Sequence, residues 1–438
     1  MLTIKSNIAP YLPNWLKYHK PYITKFNELK KIEKLNSNDK LFYIENKVLC
    51  MIKNAYNNTS FYQKLYDSAG VNPLAFTSLD DIEKLPIINK DLISSNPKSL
   101  LDRRFKVNKL LAANTGGSTG RPLSFFRSKM ELAQEMAYLD YHLSKLFNKL
   151  PLFSYRKVIL RGNSYNSEVV KRFGCNLIIS SQLLNKDNIE YVISEVNKFK
   201  PFLIHAYPSS ILNFANLVLG ANLECKIRYA LTSSEMISKE QVYFIKNVLG
   251  SNLIDLYGNS EHSVLATNIN GYYNFDFTYG FTEFLNGYII STKLLDTPFP
   301  LIRYNCGDKY SESSIKNKRD FYAELTAIDG RESDFLFDVN GNSIPIVSVI
   351  YGQHLSIFDC ISDFCLVQNV NGEFYFEYVS TKLVETKIEK EFVDKVNEIT
   401  NGHLKVIVKN TNKIRIGKNG KKKLLTISDE LYLNNKKS

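Results

Sequence analysis

From residue 157 to residue 219, short runs of aliphatic and β-branched residues alternate with longer stretches of helical spacing, and this alternation constrains the fold more than any other feature. Lys157-Val158-Ile159-Leu160 and Asn176-Leu177-Ile178-Ile179 are strand-length runs with few polar positions to face water, whereas residues 186–198 and 209–219 read as helices. Buried strands separated by helices belong to a largely parallel sheet, so an α/β fold is expected.

Residues 24–68 also read as helices, with apolar and aromatic positions at helical spacing and little Gly or Pro, and residues 131–147 form another helical stretch. Beyond residue 270 the pattern turns to strands, at 272–278, 287–292 and 321–327. The turn Asp329-Gly330 marks the expected boundary between a large domain, residues 1–329, and a small α+β domain, residues 330–438. The small domain has strand patterns at 343–350, 364–368, 373–379 and 404–408 and one helix over 388–399.

A chain of 438 residues has room for two domains, and 44% hydrophobic with 13% aromatic residues excludes a disordered one. Residues 1–20 carry no apolar signal region and no 18 apolar residues run together, so a cytoplasmic protein is expected. The cysteines at 50, 175, 225, 306, 360 and 365 include no Cys-x-x-Cys pair and are expected to be reduced core residues rather than bridged or zinc-bound. The formal net charge of +12 suits nucleic acid, an anionic membrane surface, or an acidic small-molecule or carrier-protein partner. No nucleic-acid-binding motif is present, so that partner is not expected. The lysines between 17 and 34, at 418 and 421–423, and at 436–437 read as solvated faces, with peripheral contact at the inner face of an anionic membrane as the alternative.

Residues 114–122, Asn-Thr-Gly-Gly-Ser-Thr-Gly-Arg-Pro, put three glycines, hydroxyl and amide side chains and a cation into one short loop. Gly116, Gly117 and Gly120 let backbone N–H groups turn inward with no Cβ in the way. Thr115, Ser118 and Thr119 can donate to phosphoryl oxygens, and Arg121 supplies fixed positive charge. The composition suits a polyphosphate; an ordinary Gly/Ser surface turn is the alternative. No register of the segment gives the Walker spacing.

The order of these residues resembles the Thr-Ser-Gly-Ser-Thr-Gly-x-Pro phosphate loop of adenylate-forming ligases. Other segments resemble motifs of that superfamily in the same order along the chain. Thr232-Ser233-Ser234-Glu235 stands where those ligases border the adenine, and Tyr257-Gly258-Asn259-Ser260-Glu261 resembles their Tyr-Gly-x-Thr-Glu motif. Leu301-Ile302-Arg303-Tyr304-Asn305-Cys306-Gly307-Asp308 resembles Leu-Ile-Arg-Tyr-Arg-Thr-Gly-Asp. Gly330-Arg331-Glu332-Ser333-Asp334 resembles the hinge, and Gly420-Lys421 the terminal Gly-Lys. Four further segments are similar to one branch, the phenylacetate-CoA ligase-like, CapK-like proteins of surface polysaccharide pathways. They are Asn58-Thr59-Ser60-Phe61-Tyr62, Leu85-Pro86-Ile87-Ile88-Asn89-Lys90, His205-Ala206-Tyr207-Pro208-Ser209-Ser210 and Tyr279-Gly280-Phe281-Thr282-Glu283.

The resemblance implies a large ATP- and substrate-binding domain with mixed sheets, and a small mobile α+β lid hinged at Gly330, Arg331 and Asp334. It implies an AMP-forming ligase that activates a carboxylic, amino or hydroxy acid with MgATP and passes the acyl group to a sugar amine, coenzyme A or a carrier protein. A CoA ligase of the phenylacetate type and a catalytically degenerate scaffold in membrane-bound glycan assembly are the alternatives. By resemblance, Thr115, Gly116, Gly117, Ser118, Thr119, Gly120 and Arg121 would hold the β- and γ-phosphates. Ser233, Ser234, Glu235, Tyr257, Gly258, Asn259 and Ser260 would line the nucleotide, and Glu261 would bind Mg²⁺. Asp308 would accept the ribose hydroxyls, Arg331 would contact ribose or phosphate, and Lys421 would bridge the α-phosphate and the carboxylate.

Each residue has a plain counterpart: Glu261 as a surface carboxylate, Asp308 as a turn residue, Arg331 in a structural ion pair, Lys421 in a solvated run with Lys422 and Lys423. Tyr138, Tyr141, His205 and His262 would line the acyl pocket, with core packing as the alternative. A zinc site known in some members is not expected, because Thr267-Asn268-Ile269-Asn270-Gly271 lacks cysteine. Gly116 replaces a hydroxyl residue of the pattern, Asn305 an arginine and Cys306 a threonine.

Overall fold

The computed structural model describes residues 11–94, 97–114, 123–147, 155–161, 168–181, 183–235, 237, 239–319, 322–331, 335–346, 349–350, 356–361, 363–380, 383–400, 402–414, 424–428, 430–431 and 435. The chain forms two compact units, residues 1–155 with 254–328 and residues 156–253 with 329–438.

The first unit begins with three consecutive helices, Asn14–Glu33, Ser37–Asn58 and Ser60–Ser68. The residues at the junctions explain the breaks. Asn36 Oδ1 accepts the Asp39 N–H at 2.9 Å and Thr59 Oγ1 accepts the Tyr62 N–H at 3.2 Å, so each caps the helix that follows. The first helix starts earlier than the expected residue 24. It is broken at His19 (φ 50°), two residues before Pro21, whose ring nitrogen has no hydrogen to donate. Helix Lys129–Phe147 packs Ala133, Ala137, Tyr138 and Tyr141 with Tyr22, Phe26 and Leu29 of the first helix. Asp140 seals that seam, accepting from the Tyr22 hydroxyl at 2.7 Å and from Asn14 Nδ2 at 2.9 Å.

Strands Gly280–Leu285, Tyr288–Lys293 and Tyr304–Lys309 form an antiparallel meander, and Ile88–Asn89 adds a parallel partner opposite Tyr304 and Asn305. A second set of strands, Asn252–Gly258, Leu265–Asn268, Tyr273–Phe275, Tyr322–Leu325 and Ile315–Arg319, pairs antiparallel in that order. The hairpin Leu111–Asn114 with Ser124–Arg127 sets Asn114 opposite Ser124 and so brackets residues 115–122, which lie outside the described residues.

In the second unit, Lys157–Arg161, Asn176–Ser180, Leu203–Ala206 and Tyr229–Ser233 are parallel strands. Val158, Leu160, Leu177, Ile179, Ile204 and Ala230 share one core with the buried faces of helices Ile189–Phe199, Pro208–Ala221 and Lys239–Leu249. That burial is why these strands read as apolar runs. Val170–Phe173 adds an antiparallel strand that its Val-Lys-Arg-Phe sequence conceals, since two charges interrupt the apolar run.

Residues after 329 build a separate sheet in the order Lys405–Asn410, Glu373–Val379, Asp363–Val370, Leu425–Ile427. Phe392 and Val396 of helix Thr386–Ile399 share its core with Leu366, Phe374 and Phe376. The strand expected over 343–350 is shorter: Ser343–Pro345 pairs with Phe335–Phe337 and stops at Pro345, which has no N–H for a ladder. Among the described residues, no helix is long and apolar enough to cross a membrane.

Gly280 lies where two backbones nearly touch. A Cβ there would fall 2.0 Å from the Ser263 carbonyl oxygen. Gly280→Ala is therefore expected to destabilise the protein by about 2 kcal/mol or more, through forced backbone displacement. A lower urea midpoint at unchanged m-value is the measurement.

Candidate active site

The chain leaves strand Asn252–Gly258 in a tight loop that its own side chains fix. Asn259 Oδ1 accepts the Ser263 N–H at 2.9 Å, and its Nδ2 donates to Ser263 Oγ at 2.7 Å; that hydroxyl also lies 2.7 Å from Ser291 Oγ. The His262 N–H donates to the Asn259 carbonyl, and His262 itself sits in the left-handed region at φ 58°. Such a conformation is unfavourable for a residue with a Cβ and persists only where the surroundings impose it.

A buried ion pair underlies the loop. The Lys293 and Glu131 side chains have no exposed surface, and Nζ meets Glu131 Oε1 at 2.8 Å. The same ammonium donates to the Glu261 carbonyl at 2.8 Å, and Thr297 Oγ1 donates to Glu131 Oε2 at 2.9 Å. Burial raises the Glu131 pKa, but the Lys293 charge, the hydrogen bonds from His262 and Lys293 and the nearby His262 ring together outweigh it and hold the carboxyl at about 2, against an ordinary 4.5. Burial pulls Lys293 below the ordinary lysine range, and the Glu131 carboxylate opposes that pull.

The loop and the strand Tyr304–Lys309 together present two carboxylates. Glu261 is 4% exposed. Its Oε1 accepts the Tyr304 hydroxyl at 2.9 Å, while Oε2 is buried with no hydrogen-bond partner. An unsatisfied buried carboxylate oxygen is costly unless a ligand or cation completes it. Asp308 accepts the Tyr257 hydroxyl at 2.7 Å on Oδ2, and Cys306 Sγ lies 3.1 Å from the same oxygen.

Arg303 is a scaffold residue. It is buried, its Nε and Nη2 donate to Glu283 at 3.1 and 2.8 Å, and its Nη1 donates to the carbonyls of Glu83 and Leu85. The Tyr62 hydroxyl accepts the Ile302 N–H at 2.8 Å, and the Ile88 N–H donates to the Arg303 carbonyl at 3.0 Å. Three of the segments shared with the CapK-like branch, at 58–62, 85–90 and 279–283, thus hold the stretch 301–304 in place.

The remaining site residues named from the sequence fall in several places. Ser233 ends strand Tyr229–Ser233 in the second unit, followed by exposed Ser234 at φ 70° and half-buried Glu235. His205 lies in the same unit, opposite Ile159 and Leu231. Tyr138 and Tyr141 are core residues of the first unit, their hydroxyls donated to the Thr278 carbonyl and to Glu33. His262 Nδ1 is 3.6 Å from Glu131 and 3.9 Å from Glu135. Gly330, at φ 87°, begins the two-residue strand Gly330–Arg331. Thr115, Gly116, Gly117, Ser118, Thr119, Gly120, Arg121, Asp334 and Lys421 lie outside the described residues.

Sequence reasoning missed Glu131, Lys293 and Arg127. Glu131 and Lys293 are 162 residues apart, and neither stands in a motif. The only local signal is a lysine closing the apolar strand Tyr-Ile-Ile-Ser-Thr-Lys. Arg127 ends strand Ser124–Arg127. Its Nη2 donates to the Ser260 carbonyl, its guanidinium lies 5.0 Å from the Phe125 ring centroid, and its Nε is buried without a hydrogen-bond partner.

No family model matches the chain. It is 25% identical over 439 aligned residues to Protein CapK of Staphylococcus aureus, covering 90% of this chain and 93% of that one. It is 25% identical over 219 residues to phenylacetate-coenzyme A ligase of Pseudomonas putida, 48% of each chain. Among solved structures, 2-hydroxyisobutyryl-CoA ligase in the postadenylation state with 2-HIB-AMP matches with a TM-score of 0.69 at 15% identity, covering 92% of this chain and 94% of that one. The same ligase with 2-HIB-AMP and CoA in its thioesterification state gives a TM-score of 0.54 at 15% identity, covering 92% of each. At that identity these matches establish the fold: a mixed α/β architecture shared with CoA ligases.

Lys293→Met is expected to cost about 3–5 kcal/mol at pH 7, because it leaves the Glu131 charge buried and unpaired. In the wild type, the Glu131 contribution is fully present above pH 4.5 and is lost as the pH falls toward 2, the folded-state value. In the variant the carboxyl is protonated at a higher pH than in the unfolded chain, so the stability gap between the two proteins should already narrow as the pH falls toward 4.5, and narrow further toward 2 as the wild type loses its own contribution. Urea titrations of both proteins at several pH values check this.

Proposed function

We propose, for a chain that belongs to the adenylate-forming ligase superfamily, that it activates a small carboxylic acid with ATP as an acyl-adenylate and transfers the acyl group to an acceptor in surface polysaccharide synthesis. The observation that carries this reading is Glu261, a buried carboxylate with one oxygen held by Tyr304 and the other unsatisfied, on a loop pinned from beneath by Lys293. The CapK-like resemblance favours a sugar amine as acceptor. Coenzyme A is the second reading, favoured by the solved ligase of this fold whose complex holds acyl-AMP and CoA.

Joining a carboxylate to an amine or thiol is uphill in water, and a mixed anhydride with AMP makes it feasible. The carboxylate attacks the α-phosphorus and pyrophosphate leaves; the acceptor then attacks the carbonyl and AMP leaves. The protein must hold two anions together and shield charge building on the phosphoryl oxygens. Thr115, Ser118 and Thr119, with the N–H groups of Gly116, Gly117 and Gly120 and the charge of Arg121, would hold the terminal phosphates. Asp308, oriented by the Tyr257 hydroxyl, would accept the ribose hydroxyls, and Ser233, Ser234 and Glu235 would border the base.

The unsatisfied Oε2 of Glu261 suits a hard cation, and Mg²⁺ bound there would neutralise triphosphate charge. Among the described residues, no three His, Cys, Asp or Glu side chains converge as a metal cage, so other ligands would come from nucleotide and water, in keeping with Mg²⁺ preference. Lys421 would reach the α-phosphate when residues 330–438 turn as a lid. The left-handed Gly330, free of Cβ strain, is a suitable pivot.

ATP/pyrophosphate exchange with a panel of carboxylic acids tests the reading, and no exchange with any acid would favour the scaffold alternative. Glu261→Gln should lower exchange at least ~100-fold with unchanged thermal melting, because it removes a cation ligand and leaves the packing intact. Lys421→Ala should cut acyl-adenylate formation by orders of magnitude yet still transfer acyl from supplied acyl-AMP, while Lys422→Ala and Lys423→Ala stay mild. Normal adenylation by all three lysine variants would sink the closing-lid mechanism.

A further inference from the structure

Folded proteins satisfy nearly all buried polar atoms, so a cluster of unsatisfied ones marks where a ligand supplies the missing partners. Among the described residues, two such atoms stand at one loop, Glu261 Oε2 and Arg127 Nε, whereas His262 Nδ1 in the same loop faces the Glu131 carboxylate at 3.6 Å. Glu261 and His262 belong to the loop, and Arg127 is bonded to the carbonyl of Ser260 in it. The set contains a charged acceptor and a charged donor that do not satisfy each other.

Charge bookkeeping narrows what the donor is for. Two buried cations of this framework are already engaged. Lys293 is committed to Glu131 and the Glu261 carbonyl. Arg303 is committed to Glu283 and two backbone carbonyls. Position 305, where the superfamily pattern has arginine, is Asn305. Arg127 makes no ion pair with any carboxylate among the described residues; the Ser260 carbonyl and the Phe125 ring hold it in place. A guanidinium is always charged at physiological pH, and the hydrogen bond to Ser260 uses only part of its donor fork.

Arg127 is also tied to both segments expected to meet the nucleotide. Strand Ser124–Arg127 continues the chain directly from residues 115–122, and the Ser260 carbonyl belongs to the loop that carries Glu261. A cation held by the Ser260 carbonyl and the Phe125 ring is preorganised, so it would stabilise an incoming anion with little reorganisation. We propose that Arg127 is an oxyanion-binding residue of this site, taking either a phosphoryl oxygen of the nucleotide or the carboxylate of the acid that attacks it. The inference rests on the adenylation reading above and adds a residue that the superfamily motifs do not contain.

Arg127→Gln separates charge from structure, because the amide keeps a donor for the Ser260 carbonyl but carries no charge. Arg127→Met removes both. Calorimetry with ATP and with adenosine, followed by pyrophosphate exchange against the concentration of an acid that the wild type accepts, reads the two anion sources apart. If the oxyanion is a phosphate, Arg127→Gln should bind ATP at least roughly tenfold more weakly, with adenosine affinity and apo melting unchanged. If it is the substrate carboxylate, ATP affinity should hold while the apparent KM of the acid rises roughly tenfold at near-constant kcat. Arg127→Gln matching the wild type in both measurements overturns the proposal. So does an equal loss of ATP and adenosine, or a loss in Arg127→Met alone, since each marks a structural tie. A wild-type protein that binds no ATP overturns the adenylation reading together with this inference, whereas ATP binding that Arg127→Gln leaves intact, with an unchanged acid KM, overturns this inference alone.

Discussion

The Lys293 ammonium, without exposed surface and 2.8 Å from both Glu131 Oε1 and the Glu261 carbonyl, joins three elements of the first unit at one point. It ends strand Tyr288–Lys293, its counter-ion stands in the first turn of helix Lys129–Phe147, and its second acceptor is the backbone of the motif loop. A buried pair of this kind adds little stability over an apolar pair of equal volume, because desolvation consumes most of the Coulomb gain. Its effect is on geometry. With the Glu261 carbonyl drawn down onto Lys293 and Tyr304 donating to Oε1, the side chain is held at both ends and one oxygen is left for a ligand.

The same division between holding and presenting runs through the motif Leu301 to Asp308. Its first half is bound inward: Ile302 by the Tyr62 hydroxyl, Arg303 by Glu283 and two carbonyls, and Tyr304 by backbone pairing with both Ile88 and Ser291. Its second half carries Asp308. The motif's arginine is bound inward: four of the five Arg303 N–H donors meet Glu283 and the carbonyls of Glu83 and Leu85, which leaves it little capacity for another anion. Arg127, outside every motif, has that capacity.

The parallel strands of the second unit were legible because strands buried on both faces need unbroken aliphatic runs, as in Lys157–Arg161 and Asn176–Ser180. Val170–Phe173 was hidden because only two of its four residues are apolar, and Pro345 ended a strand that the apolar pattern would have carried to residue 350. Within the site, Tyr257, Glu261 and Asp308 were readable as motif residues, and the structure brings Tyr257 into contact with Asp308 and Tyr304 into contact with Glu261. Glu131 and Lys293 were not readable: a glutamate on an amphipathic helix and a lysine at a strand end are ordinary residues until the fold buries them against each other. Tyr138 and Tyr141 admit both a pocket and a core reading from the sequence, because aromatic side chains serve pockets and cores equally well and composition alone does not distinguish the two.

At the two positions that depart from the resembled motif, Asn305 and Cys306, the side chains make local contacts within the turn and strand. Asn305 Oδ1 accepts the Gly307 N–H at 2.8 Å, a local side-chain bond that stabilises the turn in which Gly307 adopts φ 88°, one residue before Asp308. An arginine there could not accept that bond, so the substitution exchanges a cation for a turn-fixing acceptor. Cys306 places a weak donor, in place of a hydroxyl, 3.1 Å from Asp308 Oδ2, where the Tyr257 hydroxyl already supplies the strong hydrogen bond. Asp308 is thus held by the Tyr257 hydroxyl, with Asn305 fixing the turn before it. Among the described residues around the loop, Lys293 and Arg303 are already committed to carboxylates. Arg127, whose guanidinium meets no carboxylate among the described residues, would add its charge to that of Arg121 and Lys421 for an incoming nucleotide or carboxylate.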